Sequence, residues 1–518
     1  MGFFFVRQRI LTNIVQLQRN FQRNMSSSSS QKAGLVLGAF QTPDKQLRLS
    51  KLADAFNKEK TGNKLADQIK ILGPLDAGSV RVFWNVSEKF PVVAVAGLGN
   101  PEEKADVNEE IDQHKENIRN ATAAGVRQLI DFKVDEIVVD DMEDGQTAAE
   151  GAFLGSYKFQ LFRNAEKQKK IPPVKLLENS EQVEAWNRGA ILAETQNFCR
   201  ILSETPANLM TPSVFCDKVR EKCAGLKVDV TAHDEKWAEE MKMGSFLSVT
   251  RGSKEPAKFL ELTYMGDSAS KDVICLVGKG VTFDTGGISL KPSAKMDDMR
   301  ADMGGAANVA CTTIALARLG AKVNVKTLIP LCENMPGGAA TKPGDLVTAM
   351  NGKTIVVDNT DAEGRLILCD ALCYAETFNP KYIVDVATLT GAIRIALGDC
   401  VSGVFTNDNN LWNAIHDAGM NTGDRVWRMP LFKHYAKQMT DYEGYDINNI
   451  GKGVIGAGSC TAAAFLREFV KKDTKWMHCD IAGVMGNCTD QPYTGKGMSG
   501  RPLRTLVEFV LREAGHKL

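Results

Sequence analysis

The chain is expected to fold as two α/β units: a smaller N-terminal unit and a larger C-terminal one with a largely parallel central sheet flanked by helices. Three observations predict this. Short β-branched or apolar runs recur along the chain, stretches of helical composition separate them, and several runs end in glycine, where a buried strand gives way to a loop. That alternation is the pattern of parallel strands joined by helical crossovers.

The first 43 residues contain no Asp or Glu, and Arg7, Arg9, Arg19 and Arg23 are interspersed with Phe, Ile, Leu and Val ahead of the serines at 26–30. This composition reads as a mitochondrial transit peptide over residues 1–32, its apolar stretch being too short for a secretory signal. A basic tail, or translation starting at Met25 in a cytoplasmic protein, are the competing readings. From 33 to 180, runs such as 34–37 and 92–95 alternate with a helical stretch carrying Ile111, Ile118, Val126, Leu129 and Ile130, which makes a separate α/β accessory domain. The polar stretch 163–170 and then Pro172-Pro173 mark its boundary. Residues 181–203, with Trp186, Ile191, Phe198, Ile201 and Leu202, read as a connecting helix. In the second domain, 204–518, the runs 273–277, 322–330, 353–357 and 382–387 supply the central strands, and a helix-like stretch begins at about 299 and reaches 319.

Composition excludes several classes. With 43% hydrophobic and 24% charged residues the chain is that of an ordinary globular protein, and 63 basic residues balance 63 acidic ones. Zero net charge leaves no basic footprint, so nucleic acid is not an expected partner. No apolar run approaches the ~18 residues that span a bilayer. All twelve cysteines lie between Cys199 and Cys488 without a CxxC pair. They read as reduced, mostly buried thiols, Cys369 and Cys373 on one helix face included. Gly352-Lys353-Thr354 imitates the end of a phosphate-binding loop, but Val347 stands where that loop needs glycine and a strand follows instead of preceding it.

The chemistry concentrates in two segments. Asn359-Thr360-Asp361-Ala362-Glu363-Gly364-Arg365-Leu366 places two carboxylates and a guanidinium within five residues, at the junction of a strand-like run and a helical one. Ligands of open α/β sheets bind at the carboxyl ends of strands. The competing reading is a capped helix start, with Asp361 and Glu363 favoured by the helix dipole and Arg365 paired to one of them. Upstream, the run from 273 breaks into a glycine-rich loop bearing Lys279, Asp284 and Lys291, and Asp302 follows among Met, Gly and Ala. Four carboxylates together are costly without countercharge. Two divalent cations about 3.5–4 Å apart would balance them, and oxygen-rich ligation suits Zn, Mn, Mg or Co. The six histidines show no metal-ligand spacing. An ordinary salt bridge is the competing reading for Lys279.

These segments, with Glu204-Thr205-Pro206-Ala207-Asn208, Asp385-Val386-Ala387-Thr388-Leu389-Thr390-Gly391-Ala392, Asp446-Ile447-Asn448-Asn449 and Asp480-Ile481-Ala482-Gly483-Val484-Met485, resemble the leucine aminopeptidase family of the two-metal cytosol-aminopeptidase type. The resemblance runs from about residue 204 to the C-terminus. It implies an aminopeptidase that takes peptides with a free N-terminus and prefers Leu and similar apolar residues. It also implies a homohexamer. By the resemblance, Asp284 and Glu363 bridge the two metals, Asp361 completes one site, and Lys279 with Asp302 completes the other. As a ligand Lys279 must be neutral, so its ordinary pKa near 10.4 must fall to about 7, at about 4.6 kcal/mol. The resemblance further implies that a metal-activated hydroxide attacks the scissile carbonyl, that Lys291 stabilises the oxyanion, and that Arg365 holds a bicarbonate acting as general base. It also implies that Met299, Thr388, Gly391, Ala482 and Met485 line the side-chain pocket and that Asn359 and Leu389 contact substrate. The alternatives are a two-metal phosphohydrolase and a catalytically weak paralogue acting as a structural or assembly protein. The paralogue should have damaged positions, whereas all seven metal and catalytic positions match. Cys479 departs from the more usual aliphatic residue beside Asp480.

Overall fold

A computed structural model describes residues 32–451 and 456–516. All of the expected targeting segment except Lys32 therefore lies outside the described residues. In the first domain Ala33–Gln41 runs parallel to Val92–Gly97 on one side and to Glu136–Val139 on the other. Val80–Trp84 and Val174–Leu176 extend the sheet at its two ends, so the prolines at 172 and 173 lead into a last strand of this sheet. Alternating side chains of the central strand feed two cores: Val36 and Phe40 pack on one face, Leu35, Leu37 and Ala39 on the other. Helices Gln113–Asp131 and Gly145–Ser156 lie on the Val36 face; Ile111, expected within the first, instead pairs in the short strand Ile111–Asp112, where the Asp112 side chain caps the helix.

Helix Val183–Glu204 leads into the second domain, whose large sheet has nine strands. Its order is Val426–Arg428, Ser402–Thr406, Trp476–Asp480, Tyr382–Ala387, Ile274–Gly278, Asn324–Asn334, Lys258–Met265, Val228–His233, with Gly280–Asp284 also paired to Asn324–Asn334. The middle of the sheet is parallel. Antiparallel pairings occur towards both edges. Helices Gly304–Arg318 and Leu503–Glu513 bury their apolar sides against one face, and Gly364–Ala375 and Gly458–Arg467 against the other. The result is the expected mixed α/β fold with a mostly parallel sheet between helical layers.

Two elements differ from expectation. The run 353–357 is not a central strand: Thr354–Val357 pairs with Asp345–Thr348 and Ile447–Asn448 in a separate three-stranded sheet. Gly352, at φ +88°, closes the tight turn that sends the chain back along Asp345–Thr348, and Asp446 accepts the backbone N–H of Thr354 at 2.8 Å. The helix expected from 299 is broken into a 3₁₀ turn, Met296–Ala301, and the α-helix Gly304–Arg318, with Asp302 between them. A Cβ on Gly305 would lie 2.0 Å from Val386 O, so the helix can start against the sheet only where side chains are absent.

Candidate active site

The site assembles where parallel strands end. Strand Ile274–Gly278 runs directly into Lys279, strand Gly280–Asp284 ends on Asp284, Tyr382–Ala387 is followed by Thr388, and helix Gly364–Ala375 begins just after Glu363. Asp302 enters from the break between the 3₁₀ turn and its helix. Close approach of backbone to these groups is built in. A Cβ on Gly364 would lie 2.8 Å from Lys279 Nζ, and one on Gly286, which sits at φ +87°, would lie 2.7 Å from Asp361 Oδ1.

Two ammoniums hold four carboxylates. Lys279 Nζ lies 2.9 Å from Asp302, 2.8 Å from Glu363 Oε1 and 2.9 Å from the carbonyl oxygen of Thr388, to which it donates. Lys291 Nζ lies 2.8 Å from Asp284 Oδ2 and also pairs with Asp361. Oxygens of Asp284, Asp361 and Glu363 all fall within 4.8 Å of one another. Burial pushes the carboxyls of Asp284, Asp302 and Asp361 up, and at Asp284 the neighbouring Glu363 pushes the same way. Burial pulls both lysines down, but Asp302 and Glu363 at Lys279, and Asp284 and Glu363 at Lys291, outweigh it and leave both above lysine's ordinary value. The cluster is short of positive charge, and the buried Glu363 Oε2 accepts no hydrogen bond. Such an oxygen-rich set with an orphaned carboxylate oxygen fits divalent cations. In the structure Lys279 makes the salt bridges of its competing reading.

Arg365 is buried on the first turn of its helix. Its Nη1 donates to Asn449 O at 2.8 Å, and its Nε has no hydrogen-bond partner. Burial lowers its pKa to about 10, so it is still a cation at neutral pH. It forms no ion pair with Asp361 or Glu363, and Glu363 caps no backbone N–H, so the helix-cap reading of this loop does not describe the structure. Beside Arg365 opens a cavity of about 170 Å³, also lined by Gln438, Gly451, Gly458 and Thr461. Gln438 Nε2 is a second buried donor without a partner.

The expected pocket residues come from three segments. Met299 sits half-buried on the 3₁₀ turn, Thr388 and Leu389 on the loop after Tyr382–Ala387, and Ala482 and Met485 after Trp476–Asp480. A Cβ on Gly304 would lie 2.9 Å from Met485 Sδ and 3.2 Å from Thr388 Cγ2, which brings these two side chains together over the start of the helix. Thr388 Oγ1 donates to Asp302 Oδ1 at 2.8 Å. Gly391 is exposed at the start of helix Gly391–Leu397. Asn359 serves its own loop: its Oδ1 accepts from Asp361 N at 2.8 Å.

Sequence reasoning gave no role to Asp480 or Asn449. Asp480, 1% exposed, accepts the backbone N–H groups of Leu389 at 3.1 Å and Ala482 at 3.3 Å and the Thr390 hydroxyl at 2.6 Å, so it fixes the pocket loops. Asn449 supplies the carbonyl that orients Arg365, and its Nδ2 donates to Asn359 O at 2.6 Å.

Residues 197–507 match the cytosol aminopeptidase family's catalytic domain, and residues 36–166 match its N-terminal domain. The chain belongs to the cytosol aminopeptidase family. It is accordingly a metal-dependent aminopeptidase, a hydrolase of peptides. It is 52% identical to the cytosol aminopeptidase of Bos taurus over 92% of either chain, and 49% identical to that of Homo sapiens over 97% of either. Among solved structures, the bottromycin maturation enzyme BotP in complex with Mn superposes with a TM-score of 0.78 at 29% identity, covering 94% of this chain and all of that one. That structural neighbour is a complex with Mn, and the carboxylate cluster found here is of a kind that suits such an ion.

Proposed function

We propose that the chain removes Leu and similar apolar residues from the N-termini of peptides, using two divalent ions held by Asp284, Asp302, Asp361 and Glu363 and by Lys279, whose ammonium would lose its proton in the field of the two dications. The observation that carries this is the convergence of those five side chains, Glu363 Oε2 left without a partner among them. Two ions there would acidify a shared water, bind the substrate's neutral α-amine and polarise the scissile carbonyl. Zn suits the set, with Mn, Mg or Co possible at one position.

The chain's own residues do the rest. Lys291, beside Asp284 and Asp361, carries the ammonium that would donate to the oxygen of the tetrahedral intermediate. Arg365 would hold a bicarbonate through its planar guanidinium, and the unpartnered Nε, the unpartnered Gln438 Nε2 and the adjacent cavity support an anion there. A bicarbonate so placed would serve as general base. Met299 and Met485 offer flexible thioethers to the substrate side chain, which favours breadth among Leu, Met and their like over strict selection. A homohexamer and import into mitochondria, the latter from residues 1–32, complete the reading.

The test is release of leucine from a leucyl anilide by protein beginning near Ser26, preincubated with Mn or Zn, against the N-acetylated substrate. Cleavage of the free-amine substrate alone is expected. Folded, metal-loaded protein that cleaves neither would favour the structural-protein alternative.

A further inference from the structure

The carboxylates of the proposed centre come from two different sheets. Asp284 ends a strand of the nine-stranded sheet, in register with Asn334, whereas Asp361 and Glu363 follow a strand of the three-stranded sheet. No backbone ladder joins these sheets among the described residues. Something else must set the spacing between the two sets of ligands.

Besides Lys291, which pairs with both Asp284 and Asp361, two buried side chains cross the gap. The Thr360 hydroxyl donates to Gly286 O at 2.6 Å and accepts from Ser289 N at 2.8 Å, while Thr360 N donates to Ser289 Oγ at 3.2 Å. These bonds stitch the loop of Asp361 and Glu363 to the loop between Asp284 and Lys291. Asn334 Nδ2 donates both to Asp284 Oδ1 at 2.8 Å and to Thr360 O at 3.0 Å, so one amide group touches a carboxylate from one sheet and the backbone from the other. Thr360 is 5% exposed and Asn334 4%. A Cβ on Gly287 would lie 2.9 Å from Asn334 Oδ1 and 3.0 Å from Thr360 Oγ1, so the loop is drawn tightly over both.

We propose that Thr360 and Asn334 are positioning residues that fix the separation of the carboxylates on which the two ions depend. The proposal rests on the two-metal reading above. A clamp of two ions works at a spacing of about 3.5–4 Å, so a shift of a fraction of an ångström between the loops is felt by both. Partners that orient metal ligands typically contribute 10–100-fold to metal affinity. At the Thr360 position one hydroxyl oxygen both donates and accepts. Valine keeps the shape and does neither.

The experiment compares Thr360→Val, Thr360→Ser and the unaltered protein after chelator stripping, with Mn as probe. Affinity is read from the free-ion electron paramagnetic resonance signal, and the spacing from exchange coupling between paired ions. Thr360→Val should bind Mn about 10–100-fold more weakly with weakened coupling. Thr360→Ser should stay within about threefold, the hydroxyl being the operative group. Unchanged affinity and coupling in Thr360→Val would overturn the proposal, as would an equal loss in Thr360→Ser, which would assign the effect to the methyl group's packing. If Thr360→Val fails to fold, Asn334→Leu, which removes the shared donor, is read by the same two signals. Absence of paired Mn in the unaltered protein would instead sink the two-metal reading, and this proposal with it.

Discussion

Arg504 should be the costliest single polar side chain to lose away from the centre. It is fully buried on helix Leu503–Glu513, where its Nε donates to Gln196 Oε1 at 2.9 Å, Nη1 to Glu150 Oε2 at 2.9 Å and to Thr422 O at 2.8 Å, and Nη2 to Tyr493 OH at 3.1 Å. Glu150 belongs to the N-terminal domain, so this residue holds both domains at once. Four charge-assisted bonds at about 1.5–3 kcal/mol each set an upper bound of roughly 6–12 kcal/mol. Arg504→Met also relieves the desolvation of the guanidinium, and breaking a buried pair measures about 3–5 kcal/mol. Glu150 keeps Arg119 Nε at 2.8 Å and Gln146 Nε2 at 3.1 Å, which argues for the lower end. With an unfolding entropy near 2.1 cal/mol/K per residue over roughly 480 described residues, about 3–4 kcal/mol lowers Tm by about 3–4 °C. Arg504→Lys keeps the charge but cannot reach four partners, and should recover about half. The assay is thermal unfolding at fixed protein and metal concentration, with a Glu150→Gln double-mutant cycle. A Tm drop under about 1 °C, or no coupling to Glu150, would refute the view that this network joins the domains.

Three further outcomes follow. Lys291→Ala should lower kcat about 10²–10³-fold with KM changed little, because its donation belongs to the transition state; steady-state kinetics on a leucyl anilide check it, and a kcat within about threefold removes Lys291 from the chemistry. His478 and Asp385, both fully buried, are joined by a 2.5 Å bond. Burial pulls His478 down, but Asp385 outweighs it and leaves its pKa above 6.5. The folded value exceeds the unfolded one, so the pair's contribution is full below about pH 6.5 and is lost as pH rises through the folded value. The Tm gap between the unaltered protein and His478→Gln should therefore be widest near pH 6 and narrow in alkali, and a gap constant with pH contradicts the assignment. Stripping metal should lower Tm yet leave a cooperative transition, since Lys279 and Lys291 already offset part of the carboxylate charge. Ions at 100 times their Kd add about 2.7 kcal/mol. Stripped protein without a folded circular-dichroism spectrum would show that the lysines do not suffice.

The legible part of the site was the part whose cost is local. Asp284, Asp302, Asp361 and Glu363 beside apolar strands announce themselves because burying such groups unpaired is expensive wherever the chain goes. Gly286 and Gly364 mark loops that backbone and side chain must share. The illegible part lies in groups whose partners are distant in sequence. Thr360 is an ordinary threonine until Gly286, 74 residues away, accepts from it, and Arg504 is an ordinary helical arginine until Glu150, 354 residues away, lies opposite. The same limit applies to the fold. The β-branched run at 354–357 is plainly a strand, but nothing in its apolar pattern distinguishes the large sheet from the small one. The side chain of Asp446 and the turn at Gly352 made that choice, and both are loop features.

That choice bears on the chemistry. Had Thr354–Val357 joined the large sheet, Asp361 and Glu363 would be locked to Asp284 by the same ladder that sets every other strand end, and their separation would follow strand spacing, about 4.8 Å per step. Placing them on a second sheet frees the separation from that repeat. It is then set by the bonds of Thr360 and Asn334 instead. Lys279 and Lys291 fit the same logic, each pairing with acids from both sides of the junction: Lys279 with Asp302 and Glu363, Lys291 with Asp284 and Asp361.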